Sequence, residues 1–241
     1  MSRPTLAFDI GYCGKIPTKG DFIQNTFDES FFEIWNEWLQ SVVAVSKEQL
    51  SHDWLDTYLT SPIWHFSLSG GLLCDSAVHG TLIPSVDQVG RHYPFSILAT
   101  TNATPVAAWQ NKIWANLFED KILQSLEDDF LIQTWYQDLK TQHKDIKDNN
   151  LNFKCIKSSD DKNDSIIIQG KHAFDALDLL DQQYKNQFGM YSLWWTQGSD
   201  LVEPCVIVAP GLPKVGQFSS MLDGKWQQRK WQYIKQVEKD S

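Results

Sequence analysis

The densest cluster of chemically capable side chains lies in residues 84–94, where Ser85, Asp87 and His92 follow one another within one short segment. These are the residue types of a hydrolase triad, in which the histidine takes the proton of the serine. A nucleophile elbow, however, reads G-x-S-x-G before a helix, whereas Ser85 follows a proline at the end of a predicted strand. The segment therefore gives little support to catalysis.

The same segment contains Asp87 and Arg91, whose opposite charges are suited to fixing a loop between two strands. We predict that Asp87 and Arg91 satisfy backbone groups, or pair with each other, or pair with Lys15 and Asp21 from an earlier loop. The alternative is that these four side chains contact a partner protein. On either interpretation the segment has a structural or binding role.

The earlier loop is punctuated by glycine and proline and contains Gly11-x-x-Gly14-Lys15. A phosphate-binding loop requires G-x-x-x-x-G-K-[ST], in which backbone amides hold the phosphates and a hydroxyl holds magnesium. Here the glycines are too close together, and Ile16 stands where the hydroxyl belongs. A structural turn is favoured over nucleotide binding, with a partner-binding loop as the alternative.

Neither the histidines nor the cysteines have the spacing of a metal site. The chain lacks H-E-x-x-H, EF-hand and C-x-x-C motifs, and His79 and His92 are far apart in sequence. We therefore expect no metal and no cofactor. The cysteines are also widely separated, so we predict reduced, buried thiols at Cys13, Cys74, Cys155 and Cys205.

Two adjacent tryptophans, Trp194 and Trp195, lie in a predicted strand. Neighbouring side chains of a strand point to opposite faces, so both indoles are buried only if both faces of the sheet are covered. The pair predicts a layered sandwich. The alternative is that one indole is exposed and anchors a protein-binding surface, where tryptophan is enriched.

The strands that must position these residues are bounded by glycine, proline and short polar links. Short links between the second, third and fourth strands favour an antiparallel meander, because a parallel crossover needs a dozen residues or more. We predict an α+β fold with a largely antiparallel sheet of about five to seven strands and helices packed on it. The predicted strands are residues 6–12, 63–68, 78–83, 93–100, 166–169, 190–196 and 204–209.

Helices are predicted where apolar residues recur at three- and four-residue steps. Ser30 and Glu33 have the spacing of a capping box at the start of the first long helix. Thr104 and Pro105 open another, in which Trp109 and Ile113 share a face. Further helices are predicted around residues 54–59, at 129–142 and 173–188, and before residue 222.

Residues 143–165 are rich in lysine, aspartate, asparagine and serine, so we predict an exposed excursion that is partly disordered.

The net charge of −9 and the isoelectric point near 5.0 disfavour binding to nucleic acid and to anionic membranes. No run reaches the roughly 20 apolar residues of a membrane span. We expect a monomeric, cytoplasmic protein with a single domain over residues 1–241.

With these segments in place, the chain resembles the TagF family of type VI secretion accessory proteins. The resemblance covers most of the chain in the order Gly14-Lys15-Ile16-Pro17-x-x-Gly20-Asp21-Phe22, Trp54-Leu55-x-x-Tyr58-Leu59-x-Ser61-Pro62-Ile63-Trp64, Pro84-Ser85-Val86-Asp87-Gln88-Val89-Gly90-Arg91, Ser192-Leu193-Trp194-Trp195 and Gly211-Leu212-Pro213.

The resemblance implies a cytoplasmic negative regulator of type VI secretion that acts after translation, by binding a forkhead-associated scaffold or another component of the machine. Some relatives are fused to a metal-dependent phosphatase domain, whose aspartate motifs this chain lacks. We therefore predict a protein-binding function and no enzymatic activity. The alternatives are a structural or assembly component of the apparatus and, less favoured, a small-ligand-binding or hydrolytic domain.

Overall fold

Seven strands form one antiparallel sheet in the computed structural model, which describes residues 8–144, 146 and 176–235. The strands are β1 (Ile10–Gly14), β2 (Ile23–Asn25), β3 (Trp64–Leu68), β4 (Ala77–Ile83), β5 (Phe95–Thr101), β6 (Ser192–Thr196) and β7 (Cys205–Ala209). Their order across the sheet is β2-β1-β5-β4-β3-β6-β7. The predicted meander is confirmed, since β4 pairs with both β3 and β5.

Helices cover both faces of this sheet. They are α1 (Glu29–Leu50), α2 (Trp54–Leu59), α3 (Pro105–Gln110), α4 (Lys112–Gln124), α5 (Ile132–His143), α6 (Ala176–Phe188) and α7 (Ser219–Asp223). One hydrophobic core joins the sheet to α1 and α7, and a second joins it to α3, α4, α5 and α6. The predicted α+β sandwich is confirmed.

The first helix begins two residues earlier than a Ser30 cap would place it. The Asp28 carboxylate accepts a hydrogen bond from the Phe31 N–H at 2.9 Å, which satisfies one of the free amides at the helix start. The Ser30 hydroxyl donates to the same carboxylate at 2.7 Å. The capping box predicted for Ser30 and Glu33 is therefore wrong.

The helix predicted to run on from Thr104 is two helices, α3 and α4, which are separated at Asn111. The Asn111 backbone is extended, and its side chain accepts from the Ile113 N–H at 3.2 Å, so that α4 has its own cap. This break turns Trp114 into the core and leaves Ile113 69% exposed. The predicted apolar face through Ile113 is wrong for this reason.

Several predictions concern the segment between α5 and α6. Most of residues 143–165, the strand at 166–169 and Cys155 lie outside the described residues. His143 is the buried last residue of α5, so the excursion cannot begin there. Of the described cysteines, Cys13 is buried, whereas Cys74 and Cys205 are only partly buried; all three are free thiols.

Candidate partner-binding loop face

Two loops meet beside the paired strands β1 and β5: residues 15–22, which follow β1, and residues 84–92, which follow β4. We call these residues the loop face. The Gln88 N–H donates to the Lys19 carbonyl at 3.0 Å, and the Arg91 guanidinium donates to the Gly20 carbonyl. Gly14 has φ +133°, and a Cβ there would lie 2.2 Å from the Pro94 carbonyl oxygen. Glycine is therefore needed where the end of β1 approaches the start of β5.

A buried carboxylate joins the two loops. The Asp87 side chain is fully covered, and its Oδ2 lies 2.7 Å from both Lys15 Nζ and Arg91 Nε. Its Oδ1 accepts hydrogen bonds from the Arg91 N–H at 2.8 Å and the Val89 N–H at 3.1 Å. Both oxygens are thus occupied, and the loop tip at residues 88–90 is held in one conformation.

The ionisation of Asp87 reflects this geometry. Burial alone would raise the pKa of its carboxyl, but hydrogen bonds from Lys15 and from the amide and guanidinium of Arg91 hold that pKa well below its usual range. The carboxylate therefore stays charged at neutral pH. A buried charge of this kind needs its cations, because an unpaired one is costly.

Two aromatic side chains of α2, Trp54 and Tyr58, contact the loop face. The Tyr58 hydroxyl donates to the Ser85 carbonyl at 3.1 Å and accepts from the Ser85 N–H at 3.0 Å. Its ring stacks on Trp54, and His92 packs edge-on against both rings. Sequence reasoning assigned no role to Tyr58. The available signal was the Trp54–Tyr58 spacing, which places both rings on one helix face.

The remaining candidate residues lie elsewhere. Asp21 is exposed and makes no ion pair within residues 8–144, 146 and 176–235, so the predicted pairing of Asp21 is wrong; Lys15 and Arg91 both use Asp87 instead. Trp194 and Trp195 are 0% and 3% exposed and belong to opposite cores. Burial of both indoles is confirmed, and the alternative of an exposed tryptophan anchor is wrong.

The loop face does not form a Ser-His-Asp relay. The Ser85 hydroxyl is buried and has no hydrogen-bond partner among the described residues, while the Asp87 oxygens bind cations and amides. A hydroxyl–imidazole–carboxylate chain does occur elsewhere: His65 lies 2.8 Å from Thr81 Oγ1 and 3.0 Å from Glu119 Oε2. Thr81, on β4, is completely buried, so a substrate cannot reach its hydroxyl.

Metal binding finds no support in the described part of the chain. No group of three or more His, Cys, Asp or Glu side chains there is close enough to hold an ion. Burial raises the pKa of the Cys205 thiol to about 11 and also raises that of Cys13, so both thiols are protonated at neutral pH. Metal ligation by cysteine requires the thiolate.

We expect the stability losses at this site to follow the burial of each partner. Arg91→Ala should cost about 1 kcal/mol or less, because the Arg91 side chain is 57% exposed. Asp87→Ala should cost more, because it leaves Lys15, 13% exposed, without its anion and frees two amides. Urea unfolding of the two variants and an Asp87→Asn control measures this order. Equal losses for Asp87→Ala and Arg91→Ala would contradict it.

Three comparisons with known proteins bear on this site. A family model described as TagF N-terminal domain, type VI secretion system-associated, matches residues 11–142, which include both loops. The crystal structure of PA0076 from Pseudomonas aeruginosa PAO1 has a TM-score of 0.73 and 27% identity to this chain, and the match covers 97% of this chain and 100% of that one. No curated protein matches the chain. Across the described helices, none has the length and apolarity of a membrane span.

Proposed function

The chain belongs to the TagF N-terminal domain family of type VI secretion-associated proteins, and we propose that it restrains secretion after translation by binding a protein of the machine. The partner we propose is a forkhead-associated scaffold in the cytoplasm. The observation that carries this proposal is the family match over residues 11–142, because that range contains the loop face.

The shape of the loop face suits a protein contact. Val89 is 68% exposed and Phe22 is 38% exposed, while the bonds of Asp87 hold the backbone amides of Val89 and Arg91. A surface that is already ordered loses little conformational entropy when a partner binds. Arg91, which is over half exposed, adds the side-chain type that is enriched at interface hot spots.

The same geometry supports binding over catalysis. Lys15, Asp87 and Arg91 of the loop face are used in structural pairs, and burial keeps Ser85 and Thr81 away from substrates. A regulator without turnover acts by stoichiometric sequestration, so its effect follows the ratio of regulator to target. We therefore propose a binding protein with no enzymatic activity of its own.

Deletion of the protein is expected to increase the amount of secreted tube protein, and excess protein is expected to silence secretion at unchanged transcript levels. Repression should scale with expression and be relieved when the target is overproduced. The measurement is tube protein in the culture medium across graded expression. Loss of secretion on deletion would instead identify a structural or assembly component, which is the alternative function.

A loop variant tests where the repressor binds. Val89→Asp changes an exposed side chain and should abolish repression while the protein remains folded. Leu201→Asp, at a side chain that is 49% exposed and outside the loop face, is the matched control and should still repress. Equal repression by both variants would remove the loop face from the proposed interface.

A further inference from the structure

A second surface combines exposed leucines with carboxylates at the end of α4 and in its connection to α5. The leucines are Leu123, Leu126 and Leu131, which are 45%, 41% and 70% exposed. The acids in the same stretch are all exposed: Asp120, Glu127, Asp128 and Asp129. We call these seven residues the leucine–acid patch. Exposed apolar side chains grouped in sequence and flanked by polar residues are typical of a protein-interaction site.

Backbone hydrogen bonds hold the connection in two turns. The Leu126 N–H donates to the Leu123 carbonyl at 3.0 Å, and the Phe130 N–H donates to the Glu127 carbonyl at 3.2 Å. The Phe130 side chain is buried in the second core. The connection is thereby anchored, and Leu123, Leu126 and Leu131 are exposed on either side of that anchor.

The charge of the patch is not balanced by ion pairs with the described residues. None of its four carboxylates makes an ion pair with another described residue, and the nearby Lys121 is buried and paired with Asp138. An isologous contact with a second copy would set these carboxylates against one another. The same charge repels phosphates and anionic lipids.

We propose that the leucine–acid patch binds an amphipathic segment of a partner protein that presents apolar side chains flanked by lysine or arginine. The apolar side chains pack on the leucines, and the cations pair with the uncompensated carboxylates. This proposal deepens the proposed function, since it rests on the existence of a protein partner, and it adds a surface distinct from the loop face.

The test is photo-cross-linking of the full chain in its native cells. A benzoylphenylalanine at position 126 is expected to capture a protein through a segment rich in Lys or Arg and apolar residues. The control position is Leu179 on α6, which is 45% exposed and should give no such product. Absence of a product at position 126, or capture of an acidic segment or a second copy of this chain, would overturn the proposal.

Charge variants complete the test. The triple change Glu127→Gln, Asp128→Asn and Asp129→Asn should reduce the cross-linked product about tenfold. A control triple change at the exposed residues Glu48, Asp56 and Asp75 alters the net charge equally and should leave the yield unchanged. Equal yields from the two triples would refute the role of the acids.

The two proposals fail separately. If deletion leaves secretion unchanged while the charge-dependent cross-link forms, the regulatory function is wrong and the patch stands. If deletion raises secretion but the triple variant at residues 127–129 represses and cross-links like the parent, the function stands and the patch is wrong.

Discussion

Replacement of Trp194 by alanine is expected to lower the free energy of unfolding by about 3–5 kcal/mol, the range for removing a buried tryptophan. Trp194 is 0% exposed. Its ring lies parallel to that of Trp35 at 6.1 Å between centroids and 4.8 Å from that of Phe66. Because these neighbours are large rings on α1 and β3, they cannot close the cavity without moving the helix relative to the sheet.

The indole also takes part in a short chain of hydrogen bonds. Trp194 Nε1 donates to the Ser192 hydroxyl at 2.9 Å, and that hydroxyl donates to the Gly211 carbonyl. Trp194→Phe should therefore lose less than Trp194→Ala, because it keeps most of the packing and gives up only the indole N–H. Both losses are measured by urea unfolding.

The matched control is Trp109→Ala, at a partly buried tryptophan beside α4. Its loss should be clearly smaller, because water already reaches part of that ring. A loss below about 1 kcal/mol for Trp194→Ala would show that the core repacks freely, against the geometry described.

The pattern of strands was predictable because each central strand is short, apolar and separated from the next by a turn. The pair Trp194–Trp195 also predicted helices on both faces, since adjacent strand residues point in opposite directions. The strand β2 was not predicted. It has only three residues, at the edge of the sheet, and its pairing with β1 is a tertiary contact that local sequence does not encode.

The break between α3 and α4 was missed for a related reason. Trp109, Ile113 and Leu117 fit one helical face, so periodicity alone favours a continuous helix. The alternative becomes visible only when Asn111 is considered as a cap, because its side chain competes for the backbone amide of Ile113. Local polar chemistry overrides the apolar pattern here.

At the loop face, the pairing of Asp87 with Arg91 was predictable from opposite charges in one loop. The sequence did not show that Lys15 joins this pair and that Asp21 stays outside it. That outcome depends on the register of β1 against β5 and on the close approach at Gly14. The Tyr58 hydroxyl was missed because its acceptor and donor are backbone groups of Ser85, which any residue type supplies.

Acidic pH is expected to have the second large effect on the free energy of unfolding, because three histidines are buried. His65, His79 and His143 lie between the sheet and the helices α4 and α5. Burial, and secondly the charge of His143, lower the pKa of His79 well below its ordinary value. Burial also lowers the pKa of His65, although the hydrogen bond and charge of Glu119 oppose this and the charge of Lys112 adds to it.

Among the described residues, the groups around His79 offer no anion to a proton. Its ring stacks on Trp114 at 4.2 Å, with Phe118 and His143 also in contact, and Ser67 lies opposite on β3. Both ring nitrogens of His79 and the Ser67 hydroxyl are without hydrogen-bond partners among the described residues. Protonation there would place a charge in an apolar layer.

The sign of the pH effect follows from the lowered pKa values. An unfolded histidine binds a proton at about pH 6.5, whereas His65 and His79 resist protonation in the folded state. The stability they contribute is therefore complete above about pH 6.5 and is lost as pH falls towards their folded pKa values. Each such histidine removes about 1.4 kcal/mol per pH unit within that window. The lowered pKa of Asp87 acts separately, below about pH 4, where unfolded aspartate takes up its proton.

Urea unfolding between pH 7.5 and pH 5 is expected to show this loss, and His79→Phe should reduce its slope by about 1.4 kcal/mol per pH unit. At pH 7.5 the variant should be as stable as the parent, because phenylalanine keeps the stacking on Trp114 and removes two unsatisfied nitrogens. The control is His52→Phe, at a side chain that is 87% exposed, which should leave the slope unchanged. If the slope of His79→Phe matched that of the parent, His79 would have to be protonated in the folded state, and a compensating group would have to lie beside it.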